Sequence, residues 1–128
     1  MAKQFNNALH ELIIIENEAR NFGFDWPHEE MIIEQALSEC DEIREALANH
    51  EPSHRVQEEI GDLLHTAISL CLFAGFDPEQ TLAKVATKFG ARMEALKAIA
   101  KDQGLTSLKG QSTEFMMELW QKAKLARG

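Results

Sequence analysis

Cysteine is scarce in this 128-residue chain, positive charge is in deficit, and no long uncharged apolar run occurs. The two cysteines are Cys40 and Cys71. On a helical hairpin Cys40 falls opposite Gly61, and Cys71 lies a further stretch of helix away, about 15 Å along the axis. That separation is beyond the reach of a disulfide. Both read as buried thiols rather than redox or zinc groups. With 13 Lys+Arg against 21 Asp+Glu, the net charge of −8 argues against a nucleic-acid or anionic-membrane surface. A small anionic substrate stays open if a metal mediates it.

No basic region leads into a long apolar run near the N-terminus, so no signal peptide is expected. No segment approaches the ~18 uncharged apolar residues of a membrane span. A cytoplasmic location is expected by default. Repeats and low-complexity tracts are also missing. Residues 1–128 are therefore expected to form a single domain around one core.

What remains is helical periodicity, and the fold class it predicts is all-α, with about five helices and no strands. The first runs from about Lys3 to Asn21, with Phe5, Leu9, Leu12 or Ile13, and Ala19 on one face. Its Ile13-Ile14-Ile15 run is the only strand-like patch. Gly23-Phe24-Asp25-Trp26-Pro27 is a turn-rich connection. Two helices then span about His28 to Ala48 and Ser53 to Ala74, with the polar break Asn49-His50-Glu51-Pro52 between them and Gly75 as a stop. Asp77-Pro78-Glu79 is a start signal with an Asp cap and Pro in the first turn. The fourth helix reaches about Lys101. Ser112 caps a last helix ending near Leu125. The second half of the third helix is apolar nearly all round, which points to burial against a second subunit.

Two acidic pairs stand out: Glu39 with Glu42, and Glu59 with Asp62, each spaced i, i+3 on a helix. In an antiparallel hairpin the position numbers of facing residues add to a constant. Glu39 with Asp62 and Glu42 with Glu59 give the same total, centred between His50 and Glu51. Four carboxylates are thus predicted to converge. In a partly dry space such acids repel one another unless a cation neutralises them. Oxygen-only ligands select hard ions, so Mg²⁺ or Mn²⁺ is the expected occupant. The bland alternative is a solvated acidic face. Periodicity argues against it: Glu59 sits on the Val56, Leu63, Leu70 seam, and Glu39 shares a stripe with Ile32, Ala36, Ile43 and Ala46. Asp41, Glu45 and Glu58 fall toward polar sides and read as surface charge.

On the fourth helix Lys84, Lys88 and Arg92 form a basic ridge that could grip phosphate oxygens. Its alternative is a solvated face whose long side chains cover the core.

Together Gly23-Phe24-Asp25-Trp26-Pro27, Glu39-x-x-Glu42, Glu58-Glu59-Ile60-Gly61-Asp62-Leu63-Leu64, Lys88-Phe89 and Leu119-Trp120-x-x-Ala123-Lys124 resemble the MazG nucleoside triphosphate pyrophosphohydrolases. The resemblance runs from about Phe22 to Lys124. It implies hydrolysis of nucleoside or deoxynucleoside triphosphates between the α and β phosphates, giving monophosphate and pyrophosphate, with a house-cleaning role in the nucleotide pool. It further implies Glu39, Glu42, Glu59 and Asp62 as Mg²⁺ ligands and Lys88 and Arg92 as basic groups near the phosphates. Trp120 with Lys124 becomes an aromatic and basic pair near the nucleotide. Either Trp120 or Trp26 could stack on the base, and each is also a plausible core residue. A homodimer or homotetramer is implied, with no nucleic-acid or membrane partner.

The chain departs from the family pattern at three positions. Ser38 stands where the first motif usually begins with Glu, Gln35 where many members have lysine, and Ser69 where an asparagine often follows the second motif. A catalytically silent nucleotide-binding or protein-binding helical dimer is the alternative those positions keep open. A di-iron bundle lacks its two Glu-x-x-His motifs, with Asp62-x-x-His65 the nearest approach. His65 therefore reads as packed or hydrogen-bonded. His50 and His54 at the helix break lack a third partner for zinc.

Overall fold

Most of the helices start where a side chain replaces a missing backbone partner. In the computed structural model, which describes residues 6–127, the described residues form five helices and no strand. They are α1 (Ala8–Asn21), α2 (Glu29–Ala48), α3 (Ser53–Phe73), α4 (Pro78–Asp102) and α5 (Thr113–Arg127). Asn7 Oδ1 accepts from the His10 N–H at 3.1 Å, and His28 Nδ1 accepts from the Met31 N–H at 3.3 Å. Asp77 Oδ2 accepts from Gln80 and Ser112 Oγ from Phe115, each at 3.1 Å.

The Asn7 cap corrects the expected start of α1. A side chain that satisfies an orphan N–H competes with continued helix on its N-terminal side, so Asn6 and Asn7 lie outside the helix. Lys3 and Phe5 lie outside the described residues.

Helix ends repeat one device. Gly23 (φ 104°) and Gly75 (φ 88°) take left-handed backbone, and the next amides, of Phe24 and Phe76, bond back to Ala19 O at 2.9 Å and Cys71 O at 3.0 Å. After α2 the same turn is made by His50 at φ 51°, with Glu51 N–H reaching Ala46 O at 3.0 Å.

The chain divides into two compact units, Met1–Thr81 and Leu82–Gly128. In the first, α2 and α3 pack along each other as the expected hairpin. Ile32 and Ala46 are fully enclosed, and Glu39 lies buried on the same stripe of α2. The most buried positions of α3 are Thr66 and Ser69. In the second unit Ala95, Leu96 and Ala100 of α4 pack with Leu119 and Ala123 of α5.

The reading of both cysteines as buried thiols needs correction. Both are free, but Cys40 is exposed and Cys71 half-buried. Cys40 is turned about 100° from Glu39 and so leaves the inward stripe. Cys71 donates its S–H toward Thr81 Oγ1 at 3.3 Å.

Leu37 and Leu64 on the hairpin remain 62 % and 63 % exposed, and Ile33 and Ile60 are exposed one turn from each. Among the described residues no single helix is long and apolar enough to cross a membrane.

Candidate metal and nucleotide site

Glu39, Glu42 and Glu59 each offer a carboxylate oxygen, and these three atoms lie within 4.8 Å of one another. Two acids come from α2 and one from α3, so hairpin packing brings them together. Glu39 is 7 % exposed. Its Oε1 accepts from Gln35 Nε2 at 2.7 Å, while its buried Oε2 meets no donor among the described residues. A charged oxygen enclosed without a donor is costly unless a cation supplies the missing partner. An all-oxygen donor set suits a hard divalent ion.

The closeness of the three acids shows at Glu42. Hydrogen bonding to Glu59, then to Glu39, together with their negative charge, pushes its carboxyl up from 4.5 to about 7. Glu59 is partly neutralised by Arg55, whose Nη2 lies 3.5 Å from its Oε1. The same guanidinium holds the surface acid Glu58 at 2.7 Å. Glu58, Asp41 and Glu45 are exposed, as their positions on the helices require.

Asp62 is the one expected ligand outside the close group. It sits about 60° round α3 from Glu59, is one methylene shorter, and is exposed. Its backbone carbonyl accepts from Thr66 Oγ1 at 2.9 Å. Convergence therefore holds for three of the four acids that the facing-residue arithmetic brings together.

A cavity of about 470 Å³ opens in the same unit, walled by Leu12, Phe24, Trp26 and Met31, with Glu16 and His65 as polar lining. Trp26 thus lines a cavity. Arg20 beside it pairs with Asp25 at 3.2 Å.

Glu16 was missed by sequence reasoning. Its Oε1 accepts from Ser69 Oγ at 2.6 Å and lies 3.0 Å from His65 Nε2. The signal was present: Glu16 continues the inward stripe of Leu9, Leu12 and Ile13 toward Ala19, as Glu59 does on its own seam. His65 is hydrogen-bonded, as expected.

The remaining expected residues belong to the second unit. Lys84 and Lys88 line a shallow depression with Thr87 and Arg127. Arg92 is drawn off the ridge: it is half-buried, with its guanidinium 5.9 Å from the Trp120 ring centre. Trp120 also meets Phe89, ring centres 5.8 Å apart. Lys124 is half-buried on α5.

An all-helical chain presenting clustered carboxylates from two facing helices falls into the class of α-helical proteins with an acidic site of divalent-cation type. The MazG nucleotide pyrophosphohydrolase domain matches residues 28–97, more than half of the sequence, and the chain belongs to this family. It is 34 % identical over 110 residues to the Thermotoga maritima protein named nucleoside triphosphate pyrophosphohydrolase/pyrophosphatase MazG, covering 86 % of this chain and 41 % of that protein. It is 31 % identical over 114 residues to the Escherichia coli K12 nucleoside triphosphate pyrophosphohydrolase, covering 86 % and 42 %. The chain thus spans about two-fifths of the length of these relatives.

Proposed function

We propose that this protein hydrolyses nucleoside or deoxynucleoside triphosphates between the α and β phosphates, releasing pyrophosphate and a monophosphate. In this reading residues 1–128 work as one domain, assembled as a homodimer or homotetramer, in house-cleaning of the nucleotide pool. The observation that carries it is the enclosed Oε2 of Glu39, which meets no donor among the described residues and stands beside two further carboxylates.

Glu39, Glu42 and Glu59 hold the cation in this proposal, with Asp62 as a fourth ligand on the next turn of α3. Mg²⁺ is the proposed ion and Mn²⁺ its substitute. Bound there, the ion supplies positive charge that draws in phosphate oxygens and lowers the pKa of water. Gln35 fixes the Glu39 carboxylate through one oxygen and leaves the other available. Glu42 must surrender its proton before it can serve as a ligand. Lys88 and Arg92 balance the charge of the departing pyrophosphate. Trp26 offers the base a flat apolar surface, and Trp120 with Lys124 stands as a second aromatic and basic pair.

A screen for pyrophosphate release across nucleoside triphosphates, with Mg²⁺ and then Mn²⁺, tests the activity. Glu59→Gln is expected to abolish release and Glu58→Ala to retain it. Full activity in Glu59→Gln would remove the carboxylates from the mechanism. Nucleotide binding without any release would favour the silent-dimer alternative.

A further inference from the structure

We infer that Glu16 determines base specificity: its carboxylate accepts an N–H from the exocyclic amino group of a cytosine-type or adenine-type base and rejects the keto counterpart. The inference rests on the proposed nucleotide-binding reading and deepens it.

A nucleobase has apolar faces and a polar edge, so a site for it needs a flat apolar wall and a few placed polar groups. The α1–α3 cavity has both. Phe24 and Trp26 are aromatic lining, Leu12 and Met31 aliphatic, and Glu16 contributes a carboxylate. The Glu16 side chain is only 11 % exposed.

Two groups on α3 fix how that carboxylate is presented. Ser69 Oγ donates to Oε1 at 2.6 Å, and His65 Nε2 lies 3.0 Å from the same oxygen. Oε2 is screened from water and meets no donor among the described residues. Leaving a charged oxygen so placed is unfavourable. Glu16 lines the cavity, so a donor that enters the cavity and displaces the side chains covering Oε2 can become its partner. An ionised carboxylate accepts and never donates. An amino group at that point makes a charge-assisted bond, whereas a carbonyl oxygen at the same point is repelled.

Position along the hairpin agrees. On α2, Met31 of the cavity precedes Glu39 by about 12 Å of helix, and on α3 Ser69 follows Glu59 by about 15 Å. Such a span suits a nucleotide laid along the hairpin, its phosphates at the carboxylates and its base in the cavity. Thr66, another lining residue, lies between.

The bland reading of Glu16 is a polar clasp tying α1 to α3. The two readings differ in what they do to nucleotide preference. With the full chain and Mg²⁺, kcat/KM is measured for dCTP against dUTP and for ATP against ITP. The amino-bearing member of each pair is expected to be favoured by at least about tenfold, the worth of a hydrogen bond to a charged group. Glu16→Gln keeps the shape but can present either a carbonyl or an amide N–H, so the preference is expected to shrink toward parity. Helix content and Mg²⁺ affinity are expected to stay unchanged. Ser69→Ala, which frees the carboxylate to turn, is expected to give an intermediate ratio.

Equal use of amino and keto bases by the unmodified protein overturns the inference. So does an unchanged ratio in Glu16→Gln, or an equal fall on all nucleotides, which is the signature of a clasp. Equilibrium binding of non-hydrolysable dCTP and dUTP analogues reads the same preference without turnover. Preferential binding with no hydrolysis would therefore sink the activity and spare the subsite.

Discussion

Gln35 donates its amide hydrogen to Oε1 of Glu39 at 2.7 Å, one turn away on the same helix. That bond sets the rotamer of the most enclosed acid in the cluster and decides which of its oxygens is left over. Gln35→Leu keeps the volume and removes the donor, so Oε1 of the buried carboxylate joins Oε2 in having no donor among the described residues. Without divalent ions the variant is expected to lose about 1–3 kcal/mol of stability in urea denaturation. Its Mg²⁺ affinity, followed by calorimetry, is expected to fall by about tenfold or more, as for other groups that orient a metal ligand.

The raised Glu42 carboxyl makes both stability and metal binding depend on pH. In the folded protein it holds its proton up to about 7, whereas its ordinary value is 4.5. Between those two values the folded state binds more protons than the unfolded state, so stability falls as pH rises through that window. Metal-free protein is therefore expected to be more stable, from this group, below pH 4.5 than above 7. A divalent ion competes with the same proton. Binding Mg²⁺ at pH 6 is expected to release close to one proton, falling off above pH 8, as read from calorimetry in buffers of different ionisation enthalpy. Glu42→Gln is expected to abolish that release.

Much of this arrangement was legible in the residues. The five helices, the Asp77 and Ser112 caps and the inward stripe of Ile32, Glu39 and Ala46 follow from periodicity and turn chemistry, which act over a few residues; the Asn7 and His28 caps were not foreseen. The hairpin register brought Glu42 opposite Glu59 because facing positions are fixed by a short connection. Asp62 was placed less well, since register gives the turn a residue occupies but not the reach of its side chain. Glu16 was not singled out because its partners, Ser69 and His65, lie on a helix far along the chain. Local patterns carry no distance across such a separation. Arg92 looked like part of a solvent-facing ridge on α4, and only the packing of α5 shows Trp120 beneath it.

Leu37 and Leu64 stay more than half exposed on the hairpin, an unusual cost for large apolar side chains grouped on one element. In the proposed oligomer these positions are covered by another copy. Leu37→Glu with Leu64→Glu is expected to convert the assembly to monomer in sedimentation velocity, with helix content retained. Unchanged sedimentation would place the interface elsewhere.

His50 occupies a position where glycine stands after α1 and α3. Its φ of 51° crowds the side chain against the backbone, which costs about 1–2 kcal/mol for an L-residue. Glycine removes that strain and gives back part of it as unfolded-chain entropy. His50→Gly is expected to raise stability by about 0.5 kcal/mol. Gly75→Ala, forced into φ 88°, is expected to lower it. Urea midpoints at a fixed metal concentration check both.

Glu39 also bears on how such a sequence drifts. Its stripe is otherwise apolar, so leucine there would improve packing and remove a buried carboxylate oxygen that has no donor among the described residues. Substitutions of that sort are readily available to a chain with no use for the acid, because nothing in folding opposes them. In the proposed reading an interior glutamate at this point weakens the fold while the site is empty and is compensated only when a cation is bound.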